Sequence, residues 1–215
     1  MKRRLIFCLM SLSLTVSAQG VWEVPKDNEQ LEKTAVAKKE VNSNNPDAKY
    51  LAGAVPEVDG RVTWSRTYSV PGKTASQLYD ILLERLNNMV KEENQRDGSR
   101  VAIINREEHK IVARMKEWII FRSTMLNLDR TQMDYSLQVD CRDNEVTVIM
   151  DRIVYHYLTG DAKEEHFKAE EWITDKYSLN KKGTKLYRIS GKFRRKTVDR
   201  AEELFADIEK TLRNN

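Results

Sequence analysis

Cysteine is nearly absent, with two in 215 residues, and histidine occurs only three times. Glycine is sparse too, eight residues scattered singly, so no loop has the backbone amides that cradle a nucleotide phosphate. His109, His156 and His166 include no pair at metal-ligand spacing, and Glu164-Glu165-His166 does not match the H-E-x-x-H zinc motif. No serine sits in a G-x-S-x-G context. The expectation from these shortages is no catalytic residue, no metal and no cofactor.

Long hydrophobic runs are missing as well, apart from the first residues. Met1-Lys2-Arg3-Arg4 is a basic start, Leu5 to Leu14 is apolar, and Thr15-Val16-Ser17-Ala18 is a small-residue exit. That layout predicts a signal peptide over residues 1–18, cleaved between Ala18 and Gln19, and a periplasmic or secreted location. The apolar run is about half of what a bilayer span needs, so no membrane span is expected. Phe7 before Cys8 is a poor lipidation context, so no lipid anchor is expected either.

Removing residues 1–18 takes away Lys2, Arg3 and Arg4 and leaves 34 basic against 33 acidic residues, from 37 against 33 in the whole chain. A near-neutral chain lacks the basic excess of a nucleic-acid binder. Cys141 is then the one cysteine left, and an internal disulfide is excluded.

Residues 19–48 are polar, broken by Pro25 and by Asn42-Ser43-Asn44-Asn45-Pro46, and read as a flexible leader. Residues 49–215 read as a single α+β domain. Val62, Trp64, Tyr68 and Val70 alternate with Thr63, Ser65, Thr67 and Ser69, the period of a half-buried strand. Thr74 and Gln77 fit a capping box, followed by Leu78, Ile81, Leu82, Leu86, Met89 and Val90 at helical spacing, with Asp97-Gly98 as the stop.

Residues 100–105 and 110–121 are β-rich runs joined by a turn at Glu107-Glu108-His109. Met133, Tyr135, Leu137, Val139 and Cys141 alternate with polar residues, and Asp143-Asn144 turns into Val146, Val148 and Met150. The apolar phase then shifts to Ile153, Tyr155 and Tyr157, as a β-bulge near Asp151 would cause. Residues 169–177 suit a short helix. A last helix, capped by Thr197, carries Val198, Ala201, Leu204, Phe205, Ile208 and Leu212 on one face. The order β-α-β-β-β-β-α predicts an antiparallel sheet of about five strands with helices on one face.

The strings Lys49-Tyr50-Leu51-Ala52-Gly53-Ala54-Val55-Pro56, Tyr68-Ser69-Val70-Pro71-Gly72 and Glu117-Trp118-Ile119-Ile120-Phe121 carry a resemblance. So do Ala169-Glu170-Glu171-Trp172-Ile173-Thr174-Asp175-Lys176-Tyr177 and Lys192-Phe193-Arg194-Arg195-Lys196-Thr197-Val198-Asp199. Over about residues 49–213 the chain resembles a bacterial exported family, domain of unknown function 4468, described as having a TBP-like fold. The resemblance implies that fold and an envelope or secreted location. It brings no site residues, and a shape name does not license DNA binding.

Cys141 lies on the apolar phase of its strand and reads as a small buried hydrophobe. Arg66 and Glu117 each interrupt an apolar phase, which is costly unless the charge is paired or reaches water. They are the candidate binding residues, against the plainer readings of a bulge or a snorkelling stem. Lys181, Lys182, Lys185, Arg188, Lys192, Arg194, Arg195, Lys196 and Arg200 form a basic run read as a solvated helix face, offset by Glu164, Glu165, Glu170 and Glu171.

The functional expectation is a non-catalytic exported module that binds an envelope protein or a small ligand. A carrier of a small apolar ligand is the alternative, and a hydrolase with an unfamiliar site the weaker one. An enclosed apolar cavity would favour the carrier, and a cleft gathering a histidine or a carboxylate pair would revive the enzyme. Processing is directly checkable: N-terminal peptide mapping of exported protein should find Gln19 first, and an intact Met1 would contradict the signal-peptide reading.

Overall fold

Strand β7 (Glu145–Leu158) is the spine of the sheet, and both of its edges are paired. The computed structural model describes residues 45–125, 127–158 and 164–215. Residues 1–18, their cleavage site, Cys8 and nearly all of the expected leader lie outside the described residues.

One edge of β7 pairs antiparallel with β6 (Asn127–Arg142), which pairs with β5 (Lys110–Thr124), which pairs with β4 (Arg100–Asn105). The other edge is shared end to end. β3 (Trp64–Ser69) pairs with residues 145–150 of β7, and β8 (Glu164–Lys168) pairs with residues 154–158. Between the two partners β7 carries the bulge that the phase shift predicts. Asp134 pairs with Val154 and Ser136 with Asp151, and Arg152 adopts φ 55°. The extra residue returns Ile153 and Tyr155 to the buried side already occupied by Val146, Val148 and Met150.

Among the described residues the sheet thus has six strands, and it is fully antiparallel. β8 is the added strand. Its alternation sets Glu165 and Phe167 against Glu164, His166 and Lys168, and Phe167 alone is apolar, so the period hardly registers in the sequence. A two-stranded hairpin, β1 (Glu57–Val58) and β2 (Arg61–Val62), turns at Asp59-Gly60, where φ is 50° and 74°. The Asp143-Asn144 turn is present, with Asn144 at φ 64°.

Helix α1 (Ala75–Met89) has the full capping box, Thr74 Oγ1 accepting from the Gln77 amide and Gln77 Oε1 accepting from the Thr74 amide. It ends well before Asp97-Gly98. The chain beyond it folds back along β5, with the Trp118 amide donating to the Asn94 carbonyl and the Arg96 amide to that of Lys116. Two four-residue helices, α2 (Ala169–Trp172) and α3 (Asp175–Ser178), replace the single short one expected. Helix α4 (Ser190–Asn214) begins seven residues before Thr197. Thr197 is no cap: it is buried in mid-helix, where its hydroxyl bonds the Phe193 carbonyl and the Tyr155 hydroxyl.

The helices lie on one side of the sheet. Leu78, Tyr79, Leu82, Leu86 and Met89 of α1 and Val198, Ala201, Leu204, Phe205, Ile208 and Leu212 of α4 are buried. They join Ile111, Met115, Tyr135, Leu137, Val148 and Met150 of the sheet in one core. Cys141 is 2% exposed, and burial pushes its thiol up to about 12, which suits the buried-hydrophobe reading.

Because Phe205 is buried in this core, Phe205→Ala should cost about 3–5 kcal/mol in denaturant unfolding. Lys210→Ala on the exposed side should cost little, and equal effects would show that α4 is not packed on the sheet.

Candidate functional site

The two candidate binding residues part company in the structure. Arg66 stands opposite Val148 on the helix side of β3, but near the sheet edge. Its guanidinium reaches outward over the Phe205 ring, 5.2 Å from the centroid, and it lines an open cleft of about 540 Å³ with Tyr68, Pro71, Glu209, Leu212 and Arg213. The stem packs while the head stays in water, as a snorkelling arginine does.

Glu117 is 0% exposed. Arg200 of α4 grips it with Nε on Oε1 at 2.9 Å and Nη2 on Oε2 at 3.0 Å. Asn94 and Gln95 each donate a side-chain N–H to Oε2, at 3.1 and 2.9 Å. Burial works against the charge on Arg200, but Tyr135 and Glu117 outweigh it and its pKa is raised. The Tyr135 phenol is pushed well up by burial and by Glu117. Glu117 is therefore neither bulged nor snorkelling. It is a fully paired internal charge joining β5, the loop after α1 and α4.

Arg194 escapes a sequence reading altogether. Within the basic run expected to be solvated it is 0% exposed. Its guanidinium donates to the carbonyls of Tyr50 (2.6 Å), Leu51 (2.7 Å) and Ile173 (2.7 Å) and to Asp175 Oδ1 (2.6 Å). Burial lowers its pKa, and Asp175 opposes that shift. Arg195 makes two bonds to Asp47, and Asp199 takes Lys49 Nζ at 2.6 Å and the Tyr50 hydroxyl at 2.9 Å. The described domain thus includes Asp47, from the end of the segment expected as leader.

Lys192 Nζ bonds Asp129 at 2.7 Å and sits over the rings of Phe121 and Tyr157. The run is offset by Asp47, Glu117, Asp129, Asp175 and Glu203, not by Glu164, Glu165, Glu170 and Glu171. Only Lys181, Lys182, Lys185, Arg188 and Lys196 of it are exposed.

The opposite face of the sheet carries the other gathering of chemistry. None of the described helices covers it. Alternation places Trp118 and Ile120 of β5, Leu128, Arg130, Gln132 and Asp134 of β6, His156 and Leu158 of β7, and Glu164 and His166 of β8 on this face. Trp118 lies between two guanidinium groups, Arg130 at 3.7 Å and Arg96 at 4.8 Å from the ring centroid. Ile120, Leu128 and Leu158 are 47%, 51% and 60% exposed around it. A cleft of about 220 Å³ is lined by Trp118, Leu128, Asp129, Arg130, His156 and Leu158.

Beside this cleft, β7–β8 pairing sets His156 directly opposite His166. Their rings meet edge to face, 4.6 Å between centroids. His156 Nδ1 is 3.5 Å from Glu164 Oε1, and its Nε2 is 3.6 Å from Asp134 Oδ2. Linear spacing could not show this group, since three strands contribute to it.

For Glu117 the buried pairing makes a direct test. Glu117→Ala strands Arg200 and should cost about 3–5 kcal/mol, the usual cost of breaking a buried pair. Glu117→Leu with Arg200→Met should recover much of that loss in the same unfolding measurement. Arg66→Ala, removing a surface head group, should change stability by well under half as much.

The comparisons with known proteins agree with this architecture. Residues 64–156 match the family described as domain of unknown function (DUF4468) with TBP-like fold. A crystal structure of a DUF4468 family protein from Bacteroides ovatus is 40% identical, with a TM-score of 0.72 over 78% of this chain and 95% of that one. A TBP-like protein from Parabacteroides distasonis, 23% identical, shares the fold with a TM-score of 0.62 over 75% of this chain and 98% of that one. No curated protein matches the chain. Family match, sequence identity and fold agree: the chain belongs to the DUF4468 family and has its TBP-like fold.

Proposed function

We propose that the chain is an exported, non-catalytic binding module whose uncovered sheet face docks a protein partner of the cell envelope. The observation that carries this reading is the Trp118 corner. An aromatic ring fixed between two arginines, rimmed by exposed Ile120, Leu128 and Leu158, is the composition of an interaction anchor. Along the same face, among the described residues, Arg100, Lys110, Arg114, Arg142 and Lys168 are exposed, against one exposed acid, Glu164, while Asp134 and Asp151 are 8% exposed. The matching partner has an apolar projection flanked by acidic groups.

The carrier reading needs an enclosed apolar space between helices and sheet. That layer is instead occupied by Leu78, Tyr79, Leu82, Met115, Tyr135 and Leu137, each at most 1% exposed. The hydrolase, expected as the weaker alternative, becomes the second reading, because the cleft beside Trp118 gathers His156 and Asp129, with Asp134 and Glu164 next to His156. None of the residues lining it is a serine, threonine or cysteine nucleophile.

Site-specific photo-crosslinking tests the docking face. A photoreactive residue at position 158 should capture a discrete envelope protein, and Trp118→Ala should abolish the capture. The same probe at position 210, on the helix side, should not capture it. Equal capture from both positions, or capture indifferent to Trp118→Ala, would contradict the proposal.

A further inference from the structure

We propose that His156, His166 and Glu164 form a binding site for a divalent transition cation, with Zn²⁺ the best-fitting ion. The three side chains each offer a ligand atom, and these atoms all lie within 4.8 Å of one another. Donors around a tetrahedral zinc at about 2.0–2.1 Å stand roughly 3.3–3.5 Å apart. His156 Nδ1 and Glu164 Oε1 are already at 3.5 Å. Glu164 and His166 are exposed, so rotation of their side chains closes the remaining distance while the β7–β8 register stays as it is.

The second carboxylate sets this group apart from an ordinary surface ion pair. Asp134 faces Nε2 of His156, the nitrogen turned away from Glu164. At 3.6 Å this carboxylate is just outside hydrogen-bond distance; a small rotation of the ring brings Nε2–H onto it and leaves the Nδ1 lone pair for a metal, the outer-shell arrangement that orients metal-bound histidines. Asp134 is itself held, by Gln132 Nε2 at 2.7 Å and by Lys116 Nζ at 3.6 Å, and it is 8% exposed. Its position is therefore fixed before any ion arrives.

Two imidazoles and one carboxylate favour zinc-like ions over Ca²⁺ and Mg²⁺, which take oxygen ligands. Three protein ligands leave a fourth position on the solvent side, and His156 also lines the Trp118 cleft. That position is available to water or to a donor from whatever docks there. The site stands on its own geometry and does not require the docking role.

Calorimetric titration of the purified, untagged chain with Zn²⁺ tests it, with Mg²⁺ and Ca²⁺ as competitors. The expected result is saturable binding of one Zn²⁺ per chain, unaffected by the competitors. His166→Ala should weaken it by about tenfold or more, and Asp134→Asn by about 10–100-fold, the range for outer-shell partners. His109→Ala, in the turn against Tyr79, should leave it unchanged. Since His156 is half-buried, His166→Ala and Glu164→Gln carry the test if His156→Ala lowers the melting temperature of the metal-free protein. Absence of saturable binding, or an unchanged affinity in the His166→Ala, Glu164→Gln double variant, would overturn the proposal.

Discussion

The extra residue in β7 is the constraint from which most of this structure follows. A strand must keep one side chain phase toward the core, yet the sequence of β7 reverses its phase after Asp151. Without the bulge, Ile153, Tyr155 and Tyr157 would face the open side and Arg152, Val154 and His156 would enter the core. One residue at φ 55° avoids that. The same bulge lies where one partner of β7 gives way to the other, so β3 and β8 share an edge without competing. It also sets His156 facing outward opposite His166. The backbone irregularity and the histidine cluster are thus two consequences of one phase correction.

The buried charges do a different job. Apolar packing alone does not specify how α4 is oriented or where the chain before β1 lies. Arg194 satisfies three main-chain carbonyls that belong to no sheet or long helix, and Glu117 fixes Arg200 against the loop after α1. Each ion is costly to bury and is matched by an unusually complete set of partners. Such pairs contribute placement more than net stability. Arg194 explains why residues 50–51 stay with α4 although they lie in no strand.

Much of this was legible in the sequence because local signals and burial agree. The capping box at Thr74, the turn at Asn144, the bulge near Asp151 and the α4 stripe from Val198 to Leu212 each depend on residues close in the chain. β8 was not legible, since one phenylalanine among charged residues gives no period. The first two turns of α4 were hidden for the opposite reason: a basic run looks solvated, and the carbonyls that bury Arg194 come from two distant segments. For the candidate sites, Glu117 was visible as an anomaly but its partner was not. His156 and His166 acquire meaning only through strand register, which single-residue reasoning cannot supply.

The central claim is that the described helices cover one side of this sheet and leave the other open for the proposed docking. Oxidative footprinting of the isolated chain measures this directly. Met89, Met115, Met133 and Met150, at most 1% exposed, should oxidise slowly, while Trp118, Leu128 and Leu158 should react readily. Protection of Trp118 and Leu158 to the level of the buried methionines would mean the face is already covered in the free protein, and would contradict the account.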